Sequence, residues 1–150
     1  MGKLVTIYTD GACVGNPGPG GYCAILVYKG TEKILYGGER ETTNNRMELK
    51  AAINGLKALK RPCKVKIISD SKYVVNGINE WMEGWATKGF RGIKNDDLWR
   101  ELYALKKTHD VEAEWVKAHS GHEMNERCDS IARAEAERRA RLSEFEGSES

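Results

Sequence analysis

Hydrophobic residues in the first third of the chain recur at the short period of strands. Leu4 to Thr9 is rich in β-branched and aromatic residues, Tyr22 to Tyr28 repeats that composition, and KGTEK leads to a third short run, Ile34 to Tyr36. The pattern predicts a meander of three antiparallel strands. From Thr42 the period lengthens. Leu49, Ala52, Ile53, Leu56 and Leu59 fall at helical spacing, with Thr42, Thr43 or Asn44 as N-cap and an end near Arg61 and Pro62. KVKIIS predicts a fourth strand, after which Val74, Ile78, Trp81 or Met82, and Trp85 mark a second helical face. A Gly-containing loop runs to Lys94. Asn95 or Asp96 then caps a helix through Leu98, Leu102 and Leu105, Val111 to Val116 alternates as a fifth strand, and a last helix starts near Asn125. Strand, helix, strand, helix implies parallel pairing, so the class is α/β. With no repeat or long linker, residues 1–142 read as one domain, and SEFEGSES, residues 143–150, reads as a solvated, poorly ordered acidic tail.

Composition agrees with a single core. The chain has 150 residues, 40% hydrophobic and 31% charged, ordinary for a soluble domain. The apolar run Ala24 to Tyr28 is far shorter than the roughly 20 residues of a membrane span, and no signal-peptide pattern opens the chain. A cytoplasmic protein without membrane association is expected. Cys13, Cys23, Cys63 and Cys128 form no CxxC pair and read as buried or half-buried free thiols. The net charge of +2 announces no nucleic-acid partner, but its distribution is uneven: Ala86 to Lys94 carries Lys88, Arg91 and Lys94 with no acid.

Candidate chemistry lies with the acids. Asp10 closes the first predicted strand and Asp70 the fourth, so parallel neighbours would present both carboxylates at one sheet edge. Glu48 precedes Leu49 and, at about 100° per residue, flanks the apolar face of its helix; Asp129 flanks Ile131 and Ala132 in the same way. Any one of these is more commonly a helix cap or a solvated acid. Four together repel unless cations or protons neutralise them, and oxygen-only donors favour Mg²⁺ or Mn²⁺ over zinc. Two such ions about 4 Å apart suit phosphodiester cleavage, one activating water and the other stabilising the leaving oxygen. The turn formers after Asp10, GACVGNPGPGG, would keep the backbone low beside a bulky phosphate chain, although from the loop alone a plain hairpin connection is the better explanation. Trp81 and Trp85, four residues apart with Tyr73 nearby, could face a sugar-phosphate backbone or simply belong to the core. Asn16, Asn44 and Asn45 could read sugars and base edges with their amides, or serve as turn and cap residues.

YTDGACVGNPGPGGY, TTNNRMELKAAINGL, SDSKYVVNGI and WVKAHSGHEMNERCDSIA, in this order, closely resemble the bacterial type 1 ribonucleases H (ribonuclease HI), and the resemblance covers residues 3 to 136. It implies a five-stranded mixed sheet, three strands antiparallel and then two parallel, flanked by helices. It also implies a monomeric endonuclease that cuts the RNA strand of an RNA/DNA hybrid and leaves 5′-phosphate and 3′-hydroxyl ends. Asp10, Glu48, Asp70 and Asp129 fall at the family's metal-binding carboxylates, implying two Mg²⁺ ions in the substrate complex, with Mn²⁺ able to substitute. His119 matches the family's mobile histidine, which moves protons or aids product release; imidazole titrates near neutrality and suits either task. Asn16, Thr43, Asn44 and Asn45 coincide with substrate contacts, Tyr73, Trp81, Trp85 and Lys88 with the channel for the DNA strand, and Trp99 with a brace beneath it. A zinc site of His119, His122 and Cys128 is the weaker alternative because it lacks a fourth ligand. His109 reads as an ordinary surface residue.

The chain departs from better-known members in three ways. ATKGFRGIKNDD is a shorter loop with three cations, which predicts weaker hybrid binding and a shallower salt dependence. Ala118 stands where the family often has Gly before the histidine, which would slow that loop. Lys72 and Asn76 replace residues that are often Gln, so Lys72 offers a phosphate charge in place of a directional amide. A hybrid-binding protein without cleavage would need a broken carboxylate set, and this one is intact. A nuclease domain excised from a reverse transcriptase is the other alternative, disfavoured by the initial Met and the polar tail.

Overall fold

The computed structural model describes residues 4–148, apart from the side chains of residues 143 and 145–148. Five strands, β1 (Leu4–Cys13), β2 (Gly18–Tyr28), β3 (Thr31–Thr42), β4 (Lys64–Ser69) and β5 (Asp110–Trp115), form one sheet in the order β3-β2-β1-β4-β5. β3, β2 and β1 pair antiparallel, whereas β4 lies parallel to β1 and β5 parallel to β4. The mixed sheet expected from the sequence is therefore present.

Side chains alternate between the faces of a strand, and the sheet fills both sides. Val5 and Ile7 of β1 and Ala24 and Leu26 of β2 pack with Leu49, Ala52, Ile53 and Leu56 of α1 (Asn44–Lys57). On the opposite face Cys23 and Ile25 meet Cys128 and Ala132 of the terminal helix (Glu123–Ser148). This double burial explains why Tyr22 to Tyr28 reads as a continuous apolar run. The segment after β4 comprises α2 (Lys72–Asn76), a π-helical turn (Gly77–Trp81) and α3 (Met82–Thr87), followed by a loop and α4 (Asp96–Thr108); the terminal helix is α5.

Several boundaries differ from the sequence reading. β1 continues three residues past Asp10, because pairing with β2 runs from Thr6↔Val27 to Cys13↔Gly20. Asp10 therefore lies within its strand rather than at the end. β3 spans 12 residues instead of the short run Ile34 to Tyr36, since antiparallel backbone bonding carries it through polar positions on the sheet edge. α1 stops at Lys57, before Arg61 and Pro62, and α5 starts at Glu123, two residues before Asn125. α5 also carries the backbone through residue 148, past the predicted boundary at 142; residues 149 and 150 lie outside the described residues. Helical propensity of the preceding Ala, Glu and Arg residues extends into the acidic stretch.

Candidate functional site

The last Cα pair between β1 and β4 is Tyr8↔Ile68. Asp10 and Asp70 each lie two residues beyond it, on the same strand face, where the two backbones are no longer laddered. Gly11 makes room for the third acid. A Cβ there would lie 2.5 Å from the Glu48 nitrogen, so the bare backbone lets the first turns of α1 approach β1 and bring Glu48 beside Asp10. Thr43 caps α1 by accepting the Arg46 N–H at 3.2 Å, and Ser71 caps α2 by accepting the Val74 N–H at 3.2 Å, which fixes the backbone just after Asp70.

One oxygen from each of Asp10, Glu48 and Asp70 lies within 4.8 Å of the other two. Asp10 is only 5% exposed and Glu48 7%, so these charges have little water to screen them. Burial, then the neighbouring Asp70 charge, pushes the Asp10 carboxyl up to about 7, although the Gly11 N–H donates to its Oδ1 at 2.9 Å. Burial followed by the Asp10 and Asp70 charges holds Glu48 well above the usual carboxylate range, and burial raises Asp70. Glu48 Oε1 is buried without a hydrogen-bond partner. An all-carboxylate cluster with an orphaned buried oxygen fits a hard divalent cation such as Mg²⁺ or Mn²⁺, which would neutralise the repulsion and fill the missing contact.

Asp129, half-buried on α5, stands at the edge of this trio. Its charge helps to raise Asp10 and Asp70, while its carboxylate pairs with Arg133 one turn along the helix. His119 is exposed in the loop after β5, with φ at 55°, close enough to Asp70 for its charge to oppose the rise of that carboxyl. His122 is exposed as well, whereas Cys128 is buried and donates to the Cys23 carbonyl at 3.1 Å. Among the described residues, the acidic trio is the only group of metal-binding side chains drawn together.

From α2, which begins two residues after Asp70, an aromatic series crosses the helical segment. Trp81 is 40% exposed and tilts against Trp85 at 5.8 Å, Trp85 meets the edge of Trp99 at 5.1 Å, and Trp99 meets Tyr73 at 5.4 Å. Trp99 is fully buried and lies beneath the other rings. A Cβ on Gly77 would sit 2.0 Å from Trp99 Cη2, so glycine in the π-helical turn admits the brace. The Tyr73 hydroxyl accepts from Trp99 Nε1 at 2.9 Å and from Asn95 Nδ2 at 3.2 Å, which commits it to the interior of this unit. Lys88, Arg91 and Lys94 are exposed along the following loop, Lys72 is exposed at the start of α2, and Asn76 is half-buried at its end. Asn16, Asn44 and Asn45 are exposed, and Asn16 Oδ1 accepts the Asn44 N–H at 3.1 Å, tying the β1–β2 loop to the start of α1.

Sequence reasoning missed Arg46, whose guanidinium grips both Asp97 oxygens at 3.0 and 2.7 Å and so joins α1 to α4. It also missed Trp115, whose indole donates to the Asp70 carbonyl at 3.0 Å. Val111 and Ala113 are buried on the alternating face of β5, yet Trp115, next on that face at the strand end, is exposed. His109 needs correction. It is buried, and its Nδ1 accepts the Cys63 N–H at 3.0 Å, because the α4–β5 corner folds back onto the entry to β4. The cysteines are free, Cys23 and Cys128 buried and Cys13 and Cys63 half-buried, as expected.

Residues 2–137 match the family model for RNase H. Ribonuclease H of Sulfurovum sp. is 56% identical over 136 residues, covering 91% of this chain and 92% of its own. Ribonuclease HI of Helicobacter pylori is 53% identical over 137 residues, covering 91% and 96%. Among solved structures, LC9-RNase H1, a type 1 RNase H with the type 2 active-site motif, superposes with a TM-score of 0.84 at 32% identity, covering 93% of this chain and 74% of its own. Fold, sequence and relatives thus agree along nearly the whole chain, which belongs to the ribonuclease H family, in its bacterial ribonuclease HI branch, and is an endoribonuclease.

Proposed function

We propose that the protein hydrolyses the RNA strand of RNA/DNA hybrids with two divalent metal ions, Mg²⁺ foremost, and leaves 5′-phosphate and 3′-hydroxyl ends. The observation that carries this reading is the trio of Asp10, Glu48 and Asp70 oxygens within 4.8 Å of one another. Asp10, Glu48, Asp70 and Asp129 would hold the ions. When bound, the ions supply Lewis-acid activation of water and neutralise charge on the leaving oxygen. The water oxygen bonds to phosphorus, the P–O3′ bond breaks, and the departing 3′-oxygen takes a proton. His119, on an exposed loop facing Asp70, moves the proton released by the water and aids product departure.

The remaining contacts sort by chemistry. Asn16, Asn44 and Asn45 present amides and exposed backbone to the minor groove, where the 2′-hydroxyl distinguishes RNA from DNA. Trp81 and Trp85 support the DNA strand on their ring faces, with Tyr73 and Trp99 bracing them, while Thr43, Lys72, Asn76 and Lys88 contact the backbone of the hybrid. Among the described residues no helix is long and apolar enough to cross a membrane, and a cytoplasmic monomer is the proposed working form.

The test is cleavage of end-labelled hybrid with Mg²⁺, Mn²⁺ or chelator, beside single-stranded RNA, duplex RNA and duplex DNA, with Asp10→Asn as control. The expected result is metal-dependent internal cutting confined to the RNA of the hybrid, with the stated ends, and lost in the variant. A folded protein that binds the hybrid and leaves it intact would contradict this reading.

A further inference from the structure

Trp115 occupies an unusual position for a tryptophan outside the core. It ends β5 opposite Ser69, the residue before Asp70, and remains 42% exposed. Its indole N–H donates to the Asp70 carbonyl at 3.0 Å. Its ring face carries the Lys72 ammonium at 4.6 Å from the ring centre. One side chain therefore touches both the main chain of a cluster carboxylate and a cation two residues further on. No acidic side chain pairs with Lys72 among the described residues, although the chain elsewhere pairs Lys50, Lys57, Lys66 and Lys106 with glutamates.

The physical consequences are specific. A lysine ammonium on a flexible stem samples many positions, and an aromatic face restricts it without neutralising its charge as a carboxylate would. The retained charge points to an anion as the intended partner. Because Lys72 lies beside Asp70, where the scissile strand must pass, the anion is a backbone phosphate of the RNA strand. We propose that Trp115 is a positioning residue: its ring holds Lys72 for an RNA-strand phosphate next to the cut, and its N–H fixes the main chain that carries Asp70. This rests on the hybrid-hydrolysis reading above and extends it to a residue outside that contact set.

The experiment measures hybrid affinity against salt in Ca²⁺, together with kcat and KM in Mg²⁺, for the full chain and five variants. Each lost phosphate contact lowers the slope of log K against log salt by about 0.9. Lys72→Gln and Trp115→Leu are each expected to lose about that much and to raise KM, and the double variant to lose no more than either alone. Lys72→Arg, which keeps charge and can stack, retains the slope. Trp115→Phe keeps the platform and the slope but loses the bond to Asp70, so kcat falls several-fold with KM little changed. A folded Trp115→Leu protein with wild-type slope and KM would overturn the proposal, as would a Trp115→Phe protein with wild-type kcat. If Trp115→Leu does not fold, an unchanged slope in Lys72→Gln overturns it equally. Failure of the wild type to bind or cut hybrid would instead refute the underlying reading.

Discussion

Replacing Asp10 with Asn should stabilise the metal-free protein while removing its activity. The Asp10 carboxyl is raised from 3.8 to about 7 by burial and then by the Asp70 charge. The folded state thus holds the proton more tightly than the unfolded chain, so stability is fully present below about pH 4 and is lost as pH rises towards 7. A shift of about 3 units at 1.36 kcal/mol each sets a ceiling of about 4 kcal/mol above pH 7. Glu48 and Asp70 share the same repulsion and Asn still accepts the Gly11 N–H, so about half, ~2 kcal/mol, is the expected gain. For a chain of 150 residues this corresponds to a rise of about 4 to 8 °C in Tm. Thermal and urea unfolding in chelator from pH 4 to 9 would measure it. The wild-type to variant gap should open between pH 4 and 7 and then level off, and Mg²⁺ should narrow it by stabilising the wild type alone. A variant less stable than wild type at pH 8, or a gap independent of pH, would refute the electrostatic account.

Three further outcomes are expected. Gly77→Ala places a Cβ 2.0 Å from the buried Trp99 ring and should cost about 2 kcal/mol or more, read by urea unfolding, with hybrid affinity falling as the brace shifts. His109 is buried and its imidazole is held below its ordinary 6.5, so the unfolded chain binds the extra proton first. Stability should decline as pH drops below about 6.5, and His109→Gln, able to accept from Cys63 N–H through its amide oxygen, should lessen that decline in acid unfolding curves. Changing Lys88, Arg91 and Lys94 together to Gln should reduce the salt slope of hybrid binding by about 0.9 for each phosphate they contact, and an unchanged slope would remove this loop from the interface.

Local signals were legible in the sequence where local physics decides them. KVKIIS is β4 to the residue, the helical spacing from Leu49 to Leu56 is the buried face of α1, and Thr43 was among the proposed caps. Asp10, Glu48 and Asp70 were legible as a cluster from two acids expected at the ends of parallel neighbouring strands and one on a helix flank, although β1 runs on past Asp10. Features set by distant contacts were not. The π-helical turn at Gly77–Trp81 depends on Trp99 reaching beneath it from α4, 22 residues after Gly77. His109 reads as a surface residue until the β4 entry is placed against it, and the contact of Trp115 with Asp70 arises only when β5 pairs with β4. The true length of β1 was hidden because Gly11, chosen for the approach of α1, looks like a turn residue.

The most direct test of the central claim compares wild type and Asp70→Asn on one labelled RNA/DNA hybrid in Mg²⁺, with hybrid affinity and unfolding measured on the same preparations. The account predicts that the variant folds, binds the hybrid with an affinity close to wild type, and fails to cut. Cutting by Asp70→Asn at a rate near wild type would contradict the role of the carboxylate cluster.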